Sequence, residues 1–566
     1  MANTRLMLWV ALAAILYLNY EAWMRDYREP AQSVSAASGV PSGAAQTPLA
    51  DSMPKAPSGA VNKGSAGGAA PAPPIENQGA AAAASEQSTA MLHVVTDVLD
   101  LDINLKGGEI DRADLKQYPL HKDKPNVPVR LENRDSDTLY LLQTGLIGAA
   151  GESAPTHLAT WTSVLTTYAL GEGEKQLKVP LTWTDGQGLT VTKTFVFTRG
   201  GYAIDLNYEV QNDGPASRTL ASFGRIARHW EHASRSYFDV ETYSFKGPAV
   251  FDGKYRDLNV ESEADSKFSE KAVSNGWLAA LQHHFVSAIV PPAGQPYDYL
   301  LEVQGHEYLL SATGPTKQIA AGARDEFHET LYVGPKLQAQ LAAAGPNLDR
   351  TVDYGRLWLI AQPLFKALSW IHGVVGNWGF AIIIVTALIK LIFYPLSQAS
   401  GRSMAKMRSV APRMKQIQES FKDDREKLGR AMMELYKKEK INPLAGCLPM
   451  VVQIPVFISF YWVLLESVEM RQAPFLLWIN DLSSRDPYFV LPLLMGGAMF
   501  GQFKLNPAPP DSMQAKIMQF MPLVMTGMMA WFPSGLVLYW LTNTVLSIAQ
   551  QWRINQVVQA EAPKRS

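Results

Sequence analysis

The chain has 566 residues, with 51 Lys+Arg against 52 Asp+Glu and a formal net charge of −1, and its mean hydropathy is −0.06. That balance excludes a strongly basic nucleic-acid binder. A single cysteine, Cys447, excludes an internal disulfide framework and any cysteine-cluster metal site. The averages conceal an asymmetry. Residues 24–356 carry 29 basic and 39 acidic groups, net −10, whereas the remainder carries 22 and 13, net +9, and holds long uncharged runs. This pattern predicts a membrane protein with a large soluble insert.

In chain order, Leu6 to Tyr20 is uncharged, follows Arg5 and ends in bulky Tyr17-Leu-Asn-Tyr20 rather than the small residues a cleavage site needs. Residues 1–28 therefore read as an uncleaved N-terminal transmembrane signal anchor, N-terminus inside. Residues 29–90, almost all Ala, Gly, Pro, Ser, Gln and Thr, read as a flexible linker, because they hold too few large apolar groups to offset the entropy of ordering.

Residues 91–350 have strand character. Leu189–Thr198 and Tyr202–Gln211 alternate apolar and polar side chains around an Arg199-Gly-Gly201 hairpin signal, and further β-rich runs lie near 137–147, 283–291 and 298–311. The expectation is a large antiparallel β-sandwich.

Residues 351–554 change character. Asp353 to His372, with Trp358, Phe365 and Trp370, suits an interfacial helix. Transmembrane candidates follow at Gly379–Leu396, within 441–465, at 487–503, and on either side of a Phe532-Pro-Ser-Gly535 turn in the uncharged run 517–552. With the anchor these make six transmembrane helices, so the fold class is a polytopic α-helical membrane protein carrying a large β-sandwich domain. Loop 399–441 has 12 basic and 6 acidic residues, against 2 and 4 in loop 466–486. The positive-inside rule puts 399–441, both termini and the 555–566 tail in the cytoplasm, and the β domain on the periplasmic side.

Lys390 is the most informative single residue. A lysine inside a span costs ~2.5–3.5 kcal/mol on insertion scales and commonly faces a wet cavity, although its stem also permits snorkelling to the interface. Thr386 lies one turn away on the same face. Gln453, Thr542 and Asn543 put further polar groups within other spans, and together these residues suggest a hydrophilic pocket. Ile517–Trp531, if bounded by its flanking residues, spans only about 22 Å and carries Met518, Met521, Met525 and Met528 at helical spacing, which suits either core packing or an adaptable greasy surface. In 399–441, Met404, Met407, Ala411, Met414, Ile417 and Phe421, followed by Leu428, Met432 and Leu435 after an Asp423-Asp424 cap, predict a helical hairpin with a basic surface. That surface suits headgroups or docking of ribosomes.

No GxxxxGK[ST], HExxH or GxSxG motif is present, so nothing points to an enzyme, a nucleotide site or a cofactor. His229-Trp-Glu-His232 lacks a third metal ligand at a convincing spacing, and Ser397 is two turns from Lys390, too far for a dyad on one straight helix.

Gly376-Asn-Trp-Gly379, Tyr394-Pro395-Leu396, Ser403-Met-Ala-Lys-Met407, Asn442-Pro443-Leu-Ala-Gly-Cys447-Leu-Pro449 and Phe532-Pro-Ser-Gly-Leu-Val-Leu-Tyr539 resemble, in order, the signature of the YidC insertases. That family is related to the mitochondrial oxidase-assembly and chloroplast Albino insertases. The anchor, linker and β domain resemble its Gram-negative form, with a periplasmic β-supersandwich. The resemblance implies a membrane insertase and chaperone of the bacterial inner membrane, working alone or with the Sec translocon on nascent membrane proteins, in contact with lipids and with the ribosome through the hairpin and tail.

It also implies a five-helix core around a hydrophilic groove. Lys390 stands where the family typically has arginine, keeping the charge but not the planar fork. Thr386, Gln453, Tyr539, Trp540 and Asn543 complete the implied groove, while Ile454, Phe457, Met521, Met525 and Met528 form the implied greasy slide. The alternative function is a transporter or channel using Lys390 as a solute or ion site, for which no internal repeat is visible.

Overall fold

The computed structural model describes residues 49–53, 91–122, 124–232, 244–421, 424–439, 448–505 and 512–561. The chain divides into two compact units, Ala37–Val352 and a second made of Met1–Ala36 with Asp353–Ser566.

In Ala37–Val352, β-branched and aromatic residues at period two build two sheets, of eleven and eight strands. Arg218–His229 is central to the larger sheet and pairs antiparallel with Tyr140–Gly148 on one side and Glu307–Thr313 on the other. In the smaller sheet, Leu189–Thr198 pairs with Ala203–Asn212 in the register Phe197↔Ile204. Gly200, at φ +70°, makes the turn between them, as the Arg199-Gly-Gly201 signal predicts. The run 298–311, read as a single β-rich stretch, is a hairpin: Tyr297–Gln304 and Glu307–Thr313 pair across a turn in which Gly305 has φ +58°.

Among the described residues the strand pairing is antiparallel except for Met91–Val95 beside Thr167–Ala169. A parallel neighbour needs a long crossover, and more than seventy residues separate these two strands, of which Thr167–Ala169 ends the sheet.

Buried polar groups cross from sheet to sheet. Lys193 Nζ, on the smaller sheet, donates to Gly108 O at 2.6 Å and Thr144 O at 3.1 Å. Tyr140 Oη donates to Ala280 O at 3.1 Å, and Ser287 Oγ donates to Glu132 Oε1 at 2.5 Å. Such groups are tolerable inside a sandwich because they are hydrogen-bonded there. A short helix, α1 (Gln338–Ala344), follows the last strand.

Of the 29–90 stretch, read as a linker, residues 49–53 are described and Leu49–Asp51 form a 3-10 turn within this unit. Its other residues, and the expected anchor 1–28, lie outside the described residues.

The second unit is helical: α2 (Trp358–Val375), α3 (Trp378–Ile392), α4 (Tyr394–Ser420), α5 (Arg425–Lys438), α6 (Leu448–Glu466), α7 (Val490–Leu505), α8 (Ser512–Met529) and α9 (Ser534–Glu561). Each residue of Gly376-Asn-Trp-Gly379 has a local task between α2 and α3. Gly376 caps α2 at φ +68°. Asn377 Oδ1 accepts from Phe380 N at 3.1 Å, capping α3, while its amide donates to Phe475 O at 3.2 Å. Trp378 stacks on His372 with ring centroids 4.0 Å apart. Gly379 lies under the Phe475 ring, where a Cβ would come within 2.0 Å of Cδ2.

The 399–441 hairpin consists of most of α4 and all of α5. Val410 and Met414 form its small core with Met407, Met432, Leu435 and Tyr436, and Asp424 caps α5 by accepting from Lys427 N at 3.0 Å.

Among the described residues no single helix is long and apolar enough to cross a membrane. Trp378–Ile392 and Tyr394–Ser403 reach that character only as a pair, bent by 60°, and Val451–Glu466 is a shorter apolar helix. The expectation of six long apolar spans is thus not reproduced as such. Gly496, Gly497, Gln502, Pro522, Thr526, Asn543 and Ser547 dilute the hydropathy of α7, α8 and α9, and Pro395 follows the break between α3 and α4. The methionine-rich helix α8 begins at Ser512, before Lys516, so of the two readings the longer one holds: its 18 residues give about 27 Å rather than 22 Å.

Candidate functional site

Lys390 lies near the C-terminus of α3 and is half-buried. Its Nζ donates to Ser547 Oγ on α9 at 2.7 Å, and Ser547 Oγ donates in turn to Asn543 O, one helical turn earlier, at 2.6 Å. The Asn543 side chain accepts from Gln453 Nε2 on α6. Three helices distant in sequence thus contribute to one polar chain, and all its members are partly buried. Such a chain inside apolar helices holds the ammonium with a partner rather than leaving it alone in a poorly solvating medium.

Thr386 shares the Lys390 face but is buried, and its hydroxyl donates to Ile382 O at 2.6 Å within its own helix. The structure places it beneath this face rather than in the Lys390–Ser547 chain. Tyr539 is also buried, stacked against Phe460 at 4.3 Å and Phe457 at 6.0 Å, and Trp540 meets Phe457 edge-on at 4.6 Å. Phe457, expected on the apolar slide, therefore packs directly on two residues expected in the groove. Ser547 was not singled out by sequence reasoning, although its position at i+4 from Asn543 carried the signal.

Of the other slide residues, three are exposed. Ile454 is 49% exposed and shares a stripe with Val451 and Ile458 on α6, while Met521 and Met528 are each 42% exposed on α8 and Met525 is half-buried. Helix α8 approaches α7 closely because Gly496 leaves room for Thr526, whose Oγ1 would stand 2.0 Å from a Cβ there. Together these side chains form an exposed apolar surface on α6 and α8.

The loop between α6 and α7 is held by polar contacts. Asp486 is buried and accepts from Trp478 Nε1 at 3.0 Å, Tyr488 N at 3.0 Å and Leu491 N at 2.7 Å. The Phe532-Pro-Ser-Gly535 turn joins the same loop: Ser534 Oγ donates to Asp481 O at 2.7 Å and Gly535 N to Leu482 O at 2.9 Å.

His229 and His232 each lie beside His306, with ring centroids 5.7 and 6.3 Å away, and no group of three potential metal ligands occurs among the described residues. The motif Asn442–Cys447 lies outside the described residues.

A family model described as 60Kd inner membrane protein matches residues 370–561, and one described as the YidC periplasmic domain matches residues 91–367. The chain is 45% identical over 563 residues to the membrane protein insertase YidC of Stutzerimonas stutzeri (strain A1501), covering 99% of each. It is also 45% identical over 574 residues to the membrane protein insertase YidC of Thioalkalivibrio sulfidiphilus (strain HL-EbGR7), covering 100% of each. A solved structure of an active YidC insertase with its first transmembrane domain resolved aligns at a TM-score of 0.35 and 16% identity, over 82% of this chain and 92% of that one.

Proposed function

The chain belongs to the YidC family of membrane protein insertases, and from that premise we propose that it inserts, folds and assembles integral membrane proteins in the bacterial inner membrane, alone or with the Sec translocon. The observation that carries the mechanism is the Lys390–Ser547–Asn543–Gln453 chain, set within helices whose outward faces are apolar. A polar, acidic segment of a nascent protein enters beside this chain, drawn by the Lys390 ammonium. Its apolar segment moves along the outward faces of α6 and α8, past Ile454, Phe457, Met521, Met525 and Met528, into lipid. Partition of about 20 apolar residues into hydrocarbon supplies the driving force, so no nucleotide is needed.

The arrangement suits the anchor, α3 and its continuation, and α6 to α9 as six spans, with both termini cytoplasmic and the β domain periplasmic. The basic hairpin of α4 and α5 then faces ribosomes and lipid headgroups. That no described helix is by itself long and apolar enough to span is compatible with this, because helices lining a polar groove inside a bundle need not be apolar on every side.

The test is insertion of a substrate with an acidic translocated tail by Lys390→Ala, Lys390→Glu and Lys390→Arg variants. Opposite charges 4 Å apart attract by about 1 kcal/mol in water and about 4 kcal/mol at an effective dielectric constant of 20. Lys390→Ala is expected to reduce insertion by roughly five-fold to several-hundred-fold on that scale, Lys390→Glu more, and Lys390→Arg least. Equal insertion by all three removes the electrostatic step.

A further inference from the structure

Strand Arg218–His229 is buried on both faces, although only one of them meets the second sheet. Gly224 and Arg228 face that sheet: a Cβ on Gly224 would meet Ile289, and Arg228 Nη1 donates to Leu281 O at 2.9 Å. The alternate residues Phe223, Arg225 and Ala227 point the other way. An arginine in the middle of an outward sheet face is ordinarily solvated, but Arg225 is fully buried.

What buries it includes the turn Leu49-Ala-Asp51 with Ser52. Arg225 Nη2 donates to Ala50 O at 2.5 Å, Nη1 donates to Ser52 O at 2.6 Å, and Nε donates to Gln143 Oε1 at 2.7 Å. Ala50 packs in a cluster with Leu139, Leu141, Ala227 and Leu309, to which Leu49 adds its side chain. The turn is internally closed, Ser52 Oγ donating to Leu49 O at 2.7 Å, so it presents the carbonyls of residues 50 and 52 together to the planar guanidinium fork. Burial works against the Arg225 charge, and the carboxylates of Glu109, then Asp51 and Glu302, attract it. Burial, and then the Arg225 charge, push the nearby His157 down to about 3, so His157 is neutral beside the Arg225 guanidinium. Leu49 is the only leucine in residues 29–90, a stretch otherwise dominated by small and polar residues.

We propose that the outward face of the eleven-stranded sheet around Arg225 is a peptide-binding site whose built-in occupant is Leu49–Met53, a carbonyl-presenting turn with one leucine anchor and one carboxylate. Docking of this turn gives the N-terminal stretch a fixed point on the β domain at residue 49, well ahead of the first strand at Met91. The same face recognises, in trans, short acidic-apolar peptides of this chemistry once the cis turn is displaced. Occupancy by the tethered turn is favoured because residues 54–90 join it to the strand at Met91, so its binding is intramolecular.

The experiment uses the full-length protein in lipid nanodiscs and a fluorescent synthetic peptide spanning Thr47 to Lys55. Hydrogen exchange over residues 49–53 is expected to be at least about ten-fold slower than in the free peptide, and Leu49→Asp is expected to abolish that protection while the strands keep theirs. Leu49→Asp lies on the turn and leaves the sheet intact, so it separates undocking from unfolding. The peptide is expected to bind the Leu49→Asp chain saturably and the wild-type chain at least about ten-fold more weakly, because the tethered turn competes. Adding Arg225→Gln in the Leu49→Asp background removes binding. Exchange at the free-peptide rate in the wild type, equal affinity for wild-type and Leu49→Asp chains, no binding to the Leu49→Asp chain, or retained binding without Arg225 each overturns the proposal.

Discussion

Glu132→Gln isolates the cost of burying a charge between the two sheets of the β domain. Glu132 is fully buried; its Oε1 accepts from Ser287 Oγ at 2.5 Å, and its Oε2 has no hydrogen-bond partner. Burial pushes its carboxyl up to about 7, against an ordinary value of 4.5. A carboxyl raised in the folded state contributes its full stability below about pH 4.5 and loses it as the pH rises through 7. At 1.36 kcal/mol per unit the loss is about 3 kcal/mol by pH 8. Glutamine keeps an acceptor for Ser287 and does not titrate, so the variant lacks this loss.

The variant is therefore expected to gain about 3 kcal/mol relative to wild type between pH 4.5 and pH 8, however well its amide packs, because a constant packing cost cancels between the two pH values. For a domain of this size that is roughly 6–12 °C in melting temperature. Near-UV circular dichroism melts of both proteins at the two pH values measure it. An identical pH dependence in the two proteins would refute the burial argument.

Gly379→Ala places a Cβ against the Phe475 ring and is expected to cost about 1–3 kcal/mol, lowering the thermal stability of the detergent-solubilised protein. Gly373→Ala, in open space on α2, is expected to be neutral or to stabilise by up to about 1 kcal/mol. Asp486→Ala orphans three donors, each at roughly 1–3 kcal/mol if it stays buried, and should speed tryptic cleavage at Arg485 far more than Asp486→Asn does; equal rates would mean the loop does not depend on that carboxylate.

Some of this was legible in the residues because it is local. Period-two alternation around Arg199-Gly-Gly201 identified the Leu189–Thr198 and Ala203–Asn212 hairpin, and three- and four-residue spacing identified the α4–α5 pair whose core contains Met414 and Met432. Where the local signal was ambiguous, the reading slipped. The run 298–311 is continuous in β character, and only the positive φ at Gly305 divides it. Lys516 left open whether the span stops there or runs on, and α8 runs through it, because one charged residue does not break a backbone hydrogen-bond ladder.

By itself the sequence determined the division into an acidic β part and a basic helical part, the family, and the presence of a lysine among apolar residues. Those follow from composition, motif and neighbours within a few turns. Only the tertiary structure decided that Lys390 meets Ser547, 157 residues away, that Thr386 spends its hydroxyl on its own helix, and that Arg225 closes on a turn 175 residues upstream. Periodicity assigns a side chain to a face; it carries no information about which distant face arrives opposite. That partner decides whether a polar group is paired, orphaned or available.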